Sequence, residues 1–87
     1  MWRTEYTDVA ERSLLKLDKP VRERIQAFFR SRIEGQEDPK MLAEALKGEF
    51  LGLWRFRVGD YRIICDIRTE VLVVLVLQVG HRKEIYR

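Results

Sequence analysis

Apolar and polar residues along this 87-residue chain first alternate, then recur every three or four positions, then alternate again. Trp2, Thr4 and Tyr6 interleave with Arg3, Glu5 and Thr7, which predicts a short first strand. Asp8 followed by Glu11 marks a helix start, and Val9, Ala10, Leu14, Leu15 and Leu17 supply an apolar stripe for a helix over 8–17. Asp18 is the expected cap of a second helix, with Pro20 tolerated in its first turn. Val21, Ile25, Phe28, Phe29 and Ile33 carry that helix to about residue 33 or 34, where Gly35 stops it. Pro39 then predicts a short helical turn through Met41, Leu42, Ala45 and Leu46.

The alternation returns at Trp54-Arg55-Phe56-Arg57 and continues past Gly59-Asp60, a two-residue turn of the type II′ kind. A hairpin closed there sets Val58 against Tyr61, Arg57 against Arg62, Phe56 against Ile63 and Trp54 against Cys65. One face then holds Trp54, Phe56, Val58, Tyr61, Ile63 and Cys65, which is a core. The other holds Arg55, Arg57 and Arg62, two of them directly opposed. Like charges across a strand pair destabilise it, so this face calls for an anion. Val71 to Val79 is apolar on both parities until Gln78, the pattern of a covered strand, joined to its predecessor by a turn centred on Thr69-Glu70. Gly80 is expected to end it, leaving a basic tail from His81 to Arg87. A strand, two helices and then three successive strands define an α+β fold. Its helices pack on one face of a largely antiparallel meander, in a single domain spanning 1–87.

Charge sharpens the reading. Residues 1–53 carry ten Lys/Arg and ten Asp/Glu, whereas residues 54–87 carry seven against four, so the whole excess of +3 lies in the last third. Such concentration points toward a nucleic-acid or phosphate partner. The single Cys65 falls on the apolar face of the hairpin and reads as a buried hydrophobe in a reducing compartment. Neither an apolar leader nor a membrane-length apolar run occurs, so the expectation is a cytoplasmic protein without a membrane partner.

One histidine and one cysteine lack the ligand count of a metal site. No glycine-rich phosphate loop is present, and Ser13 and Ser31 sit on predicted helices far from the histidine. The candidates are therefore Arg55, Arg57, Arg62, His81, Arg82 and Tyr86. Arginines present forked donors matched to phosphate oxygens. Tyr86 offers a ring for stacking on an unpaired base, and His81 titrates near neutrality. The competing reading is an ordinary solvated sheet face with a structural histidine.

Four fragments together resemble the RelE branch of the RelE/ParE toxin superfamily. They are Leu46-Lys47-Gly48, Leu53-Trp54-Arg55-Phe56-Arg57, Gly59-Asp60-Tyr61-Arg62-Ile63-Ile64 and Val79-Gly80-His81-Arg82-Lys83-Glu84-Ile85-Tyr86. The resemblance spans essentially the whole chain. It implies a toxin of a type II toxin–antitoxin pair that enters the ribosomal A site and cuts mRNA. The implied reaction needs no cofactor: the ribose 2′-OH attacks the adjacent phosphate, leaving a 2′,3′-cyclic phosphate and a 5′-OH. It further implies base and transition-state roles at Arg55 and Arg57, a phosphate grip at Arg62, protonation of the leaving oxygen by Arg82 and base orientation by Tyr86. Lys47 is an RNA-binding candidate.

One departure stands out. Arg55 occupies a position where the family usually has lysine, and a guanidinium with a pKa above about 12 is a poor base. His81 with an arginine cage is the preferred answer; electrostatics with ribosome-imposed geometry, or weak activity, are the others. The expected partners are a cognate RelB-like antitoxin that covers the arginines or displaces the tail, the ribosome and mRNA. Two other functions compete: a ParE-like inhibitor of DNA gyrase, and an inactive partner that only binds its antitoxin.

Overall fold

A computed structural model describes residues 1–35 and 38–81 of the chain. Five strands form one sheet in the order β1-β5-β4-β3-β2: β1 (Arg3–Tyr6), β2 (Glu44–Ala45), β3 (Trp54–Val58), β4 (Tyr61–Arg68) and β5 (Val73–His81). The expected meander is β3-β4-β5, antiparallel throughout. β1 runs parallel to β5, and β2 adds a fifth strand beside β3. Instead of one helical turn through Leu46, the chain makes a tight turn at Pro39–Leu42 and then extends.

Helices α1 (Asp8–Leu15) and α2 (Lys19–Phe28) cover one face of the sheet. Ala10, Leu14, Ile25, Phe29 and Ile33 meet Phe56, Ile63, Cys65, Val74, Val76 and Val79 in one core. The rings of Phe28, Phe29 and Phe56 pack edge to face, with centroids 5.3–5.9 Å apart. That arrangement suits the aromatic quadrupole. Thr7, rather than Asp8, caps α1: its Oγ1 accepts from the Ala10 amide at 3.1 Å. Val9 and Leu15 face solvent, so the buried stripe is narrower than the apolar one. Beyond Phe28 the helix widens into a π turn over Phe29–Ile33, which keeps Phe29 and Ile33 both in the core. Cys65 is buried in the apolar layer, which pushes its thiol pKa up. Among the described residues no helix is long and apolar enough to cross a membrane.

The β3–β4 register is the one the alternation predicts, from Trp54↔Cys65 to Val58↔Tyr61. Gly59 takes φ +59°, as the first central position of a type II′ turn requires. A Cβ there would also lie 3.0 Å from Nη1 of Arg24, which reaches over the turn from α2. Gly59→Ala should therefore cost about 1–2 kcal/mol, the left-handed penalty of an L-residue, read as a lower urea midpoint.

The β4–β5 connection is longer than a two-residue turn. It runs through Thr69–Val71 and closes on Leu72 at φ 55°, whose carbonyl accepts from the Arg3 amide at 2.9 Å. β5 also continues through Gly80 to His81, because Gly80 pairs with Arg62 and extends the ladder instead of breaking it. A bulge between Ile64 and Cys65 leaves Leu77 as the extra residue. Everything beyond it on β5 changes face.

Candidate active site

Strand parity decides what shares the face turned away from the helices. Arg55 and Arg57 on β3, with Arg62 and Ile64 on β4, alternate out of phase with the core residues Phe56, Val58, Ile63 and Cys65. The three arginines thus lie on one side, with Arg57 directly opposite Arg62. Ile64 is buried (1% exposed) on this same side and pairs with Arg55, so the guanidinium cluster stands beside an apolar floor. Charges act more strongly there than in open water.

The anion that this face calls for is partly supplied from within. Glu44, on the two-residue β2, pairs with Arg55 in register. One of its carboxylate oxygens accepts from Arg55 Nη2 at 2.7 Å, and the other lies 3.1 Å from Arg57 Nη2. The Arg55 hydrogen bond, aided by the charges of Arg55, Arg57 and Arg62, holds the Glu44 carboxyl below its ordinary pKa. Arg55 is the more enclosed guanidinium, its side chain 17% exposed against 54% for Arg57. Among the described residues Arg62 pairs with no carboxylate; its Nη1 donates to the Tyr61 carbonyl at a long 3.4 Å. The site is therefore three guanidiniums around one carboxylate, with positive charge left over on the Arg62 side.

Glu44 is the residue that sequence reasoning missed. It sits in Ala43-Glu44-Ala45, which reads as helix, and a two-residue strand has no alternation to reveal it. The signal available was indirect: opposed arginines require a nearby anion. Lys40 stands over the Trp54 ring, 5.5 Å from its centroid, and the Asp38 side chain caps the Lys40 amide, so the segment leading into β2 is anchored.

His81 requires a correction. The bulge places it opposite Tyr61, on the helix side of the sheet, where the two rings meet edge to face at 5.6 Å. It lies on the opposite face of the sheet from Arg55, Arg57 and Arg62, so its placement does not build the expected proton-transfer cage with those three. Lys47 is exposed, three residues past Glu44 in the connection back to β3. Arg82 and Tyr86 lie outside the described residues.

Comparison with known proteins places this sheet, with two helices on one face and clustered arginines on the other, among small toxins of the RelE/ParE superfamily. A family model described as the ParE toxin of the type II toxin–antitoxin system parDE matches residues 4–86. The chain is 29% identical over 86 residues to Toxin RelG of Mycobacterium tuberculosis (strain ATCC 25618 / H37Rv), covering 99% of this chain and 97% of that protein. The toxin–antitoxin complex RelBE2 from Mycobacterium tuberculosis contains a chain that superposes with a TM-score of 0.84 at 27% identity, covering 93% and 98% of the two chains. The archaeal RelE–RelB complex from Pyrococcus horikoshii OT3 gives 0.72 at 25% identity, with coverage of 95% and 97%. The chain belongs to the ParE toxin family of type II toxin–antitoxin systems, and within the RelE/ParE superfamily to the RelE branch.

Proposed function

We propose that this toxin is a ribosome-dependent mRNA endonuclease whose chemistry takes place on the arginine face. The observation that carries the reading is the convergence of Arg55, Arg57 and Arg62 around the single carboxylate of Glu44. An RNA phosphodiester approaching this face meets Arg62 and Arg57 as forked donors to its non-bridging oxygens. Arginines so placed also stabilise the extra negative charge that develops on a five-coordinate phosphorus.

Glu44 serves as the base in this reading, supported by its place among the arginines. Its carboxylate is ionised at neutral pH and stands among the phosphate-binding groups, which Arg55, always protonated, cannot replace as acceptor. The 2′-OH proton passes to Glu44 as the O2′–P bond forms and the P–O5′ bond breaks. A 2′,3′-cyclic phosphate remains, and the departing 5′-oxygen takes up a proton. By resemblance alone, Arg82 supplies that proton and Tyr86 orients a base. Lys47, exposed beside β2, adds to the grip on RNA. The ribosome is the place of action, hence the cytoplasm.

The fitting antitoxin is a RelB-like chain whose acidic side chains cover Arg57 and Arg62, since an arginine face masked by carboxylates cannot take phosphate. The family model described for a ParE toxin keeps gyrase inhibition as the rival reading. Reconstituted translation with the purified toxin separates them. We expect mRNA fragments with defined 5′ ends by primer extension. Intact mRNA together with inhibited gyrase supercoiling would overturn the proposal.

A further inference from the structure

A second recess lies at the same end of the sheet as Arg62 but on the opposite face. It occupies about 320 Å³ between the end of α1, the first residue of β4 and the last residues of β5. Leu17 and Val79 form an apolar floor, Tyr61 and His81 stand edge to face at one wall, and Ser13 and Lys16 supply hydroxyl and ammonium donors. A volume near the lower end of small-molecule sites (roughly 300–1,000 Å³), with aromatic edges set among several polar side chains, suits one planar heterocycle that carries its own donors and acceptors. We propose that this groove receives one unpaired nucleobase of the RNA whose phosphodiester lies on the arginine face. The inference rests on the RNA-cleaving reading and adds a subsite to it.

One observation favours a base here over a second phosphate, and two connect the groove to the phosphate site. The carbonyl end of α1 borders the groove, and its partial negative charge disfavours an anion while accepting the amino donors of a base. The walls are continuous with the phosphate site: Tyr61 adjoins Arg62 in the chain, and Gly80, which also lines the groove, pairs with Arg62 in register. The route between the two faces passes the exposed Gly59–Asp60 turn, where Arg24 lies over Gly59 and sets a guanidinium beside the Asp60 carboxylate's turn. RNA held at Arg62 can therefore bend around the sheet end under favourable charge and bury its next base against Tyr61 and His81. In this arrangement His81 contacts a base and takes no part in proton transfer.

The test uses the full-length, isotope-labelled toxin titrated with a 2′-O-methyl RNA trinucleotide, followed by amide NMR. Saturable shifts are expected at Ser13, Lys16, Leu17 and Gly80. Lys16→Ala, a change at an exposed residue, and His81→Ala should each weaken binding about fivefold or more, the low end of what base stacking contributes. Shifts confined to β3 and the Arg62 side of β4, no shifts at all, or wild-type affinity in both variants would overturn the groove. Failure of the endonuclease reading looks different: mRNA then stays intact in translation reactions while the groove amides still respond to the trinucleotide.

Discussion

Replacing Arg62 with alanine is expected to slow mRNA scission about 10²–10³-fold, the usual loss when one donor to a developing oxyanion is removed. The argument is one of leftover charge. Arg55 and Arg57 are both engaged by Glu44, at 2.7 and 3.1 Å, so part of their field is already neutralised. Arg62 is not balanced by a carboxylate among the described residues, and it stands opposite Arg57 where a shared phosphate would bridge the two. Its loss removes a like-charge opposition from the hairpin, so stability should stay level or rise slightly while activity collapses. Single-turnover cleavage on programmed ribosomes, with thermal unfolding alongside, measures both. Activity within a few-fold of wild type would remove Arg62 from the site.

Glu44→Gln is expected to lower the cleavage rate about 10²–10⁴-fold, the range for losing a positioned general base. Glutamine keeps the shape and can still accept from Arg55, but it takes no proton. Because the variant also leaves Arg55 and Arg57 less neutralised, apparent affinity for mRNA should hold or improve. The loss therefore falls on kcat and not on KM. The pH profile gives an independent reading. The guanidiniums depress the Glu44 pKa below its ordinary 4.5, so the carboxylate stays ionised, and the rate stays level, as pH falls from neutrality toward that value. A decline centred well above 4.5 would contradict Glu44 as the proton acceptor. The same depression fixes the sign for stability. The contribution of Glu44 to folding is present above 4.5 and is lost as pH falls through its lower folded value.

Much of this architecture was legible in the amino-acid pattern because local rules set it. Gly59-Asp60 and the alternation on either side determine the β3–β4 register, and with it the common face of Arg55, Arg57 and Arg62. The helix pair follows from three- and four-residue spacing. What escaped depends on non-local pairing. β1 joins β5 in parallel across some 70 residues of sequence, a contact no periodicity announces. β2 is too short to alternate, so Glu44 was hidden among residues that favour helix. His81 reads as the start of a tail because Gly80 looks like a strand end, whereas β5 continues through both. Without the bulge at Leu77, simple alternation carries it onto the arginine face; with the bulge, it faces Tyr61 and the helices.

The contact between Arg62 and the scissile phosphate can be probed through the phosphate itself. Ribosome-bound mRNA carrying sulfur in place of one non-bridging oxygen at the cut site should be cleaved more slowly than normal mRNA by the wild-type toxin, because sulfur is the poorer acceptor for a guanidinium donor. In Arg62→Ala that penalty should largely vanish for one of the two sulfur diastereomers. An equal penalty in both proteins for both diastereomers would contradict the arginine face as the place where the phosphodiester is held.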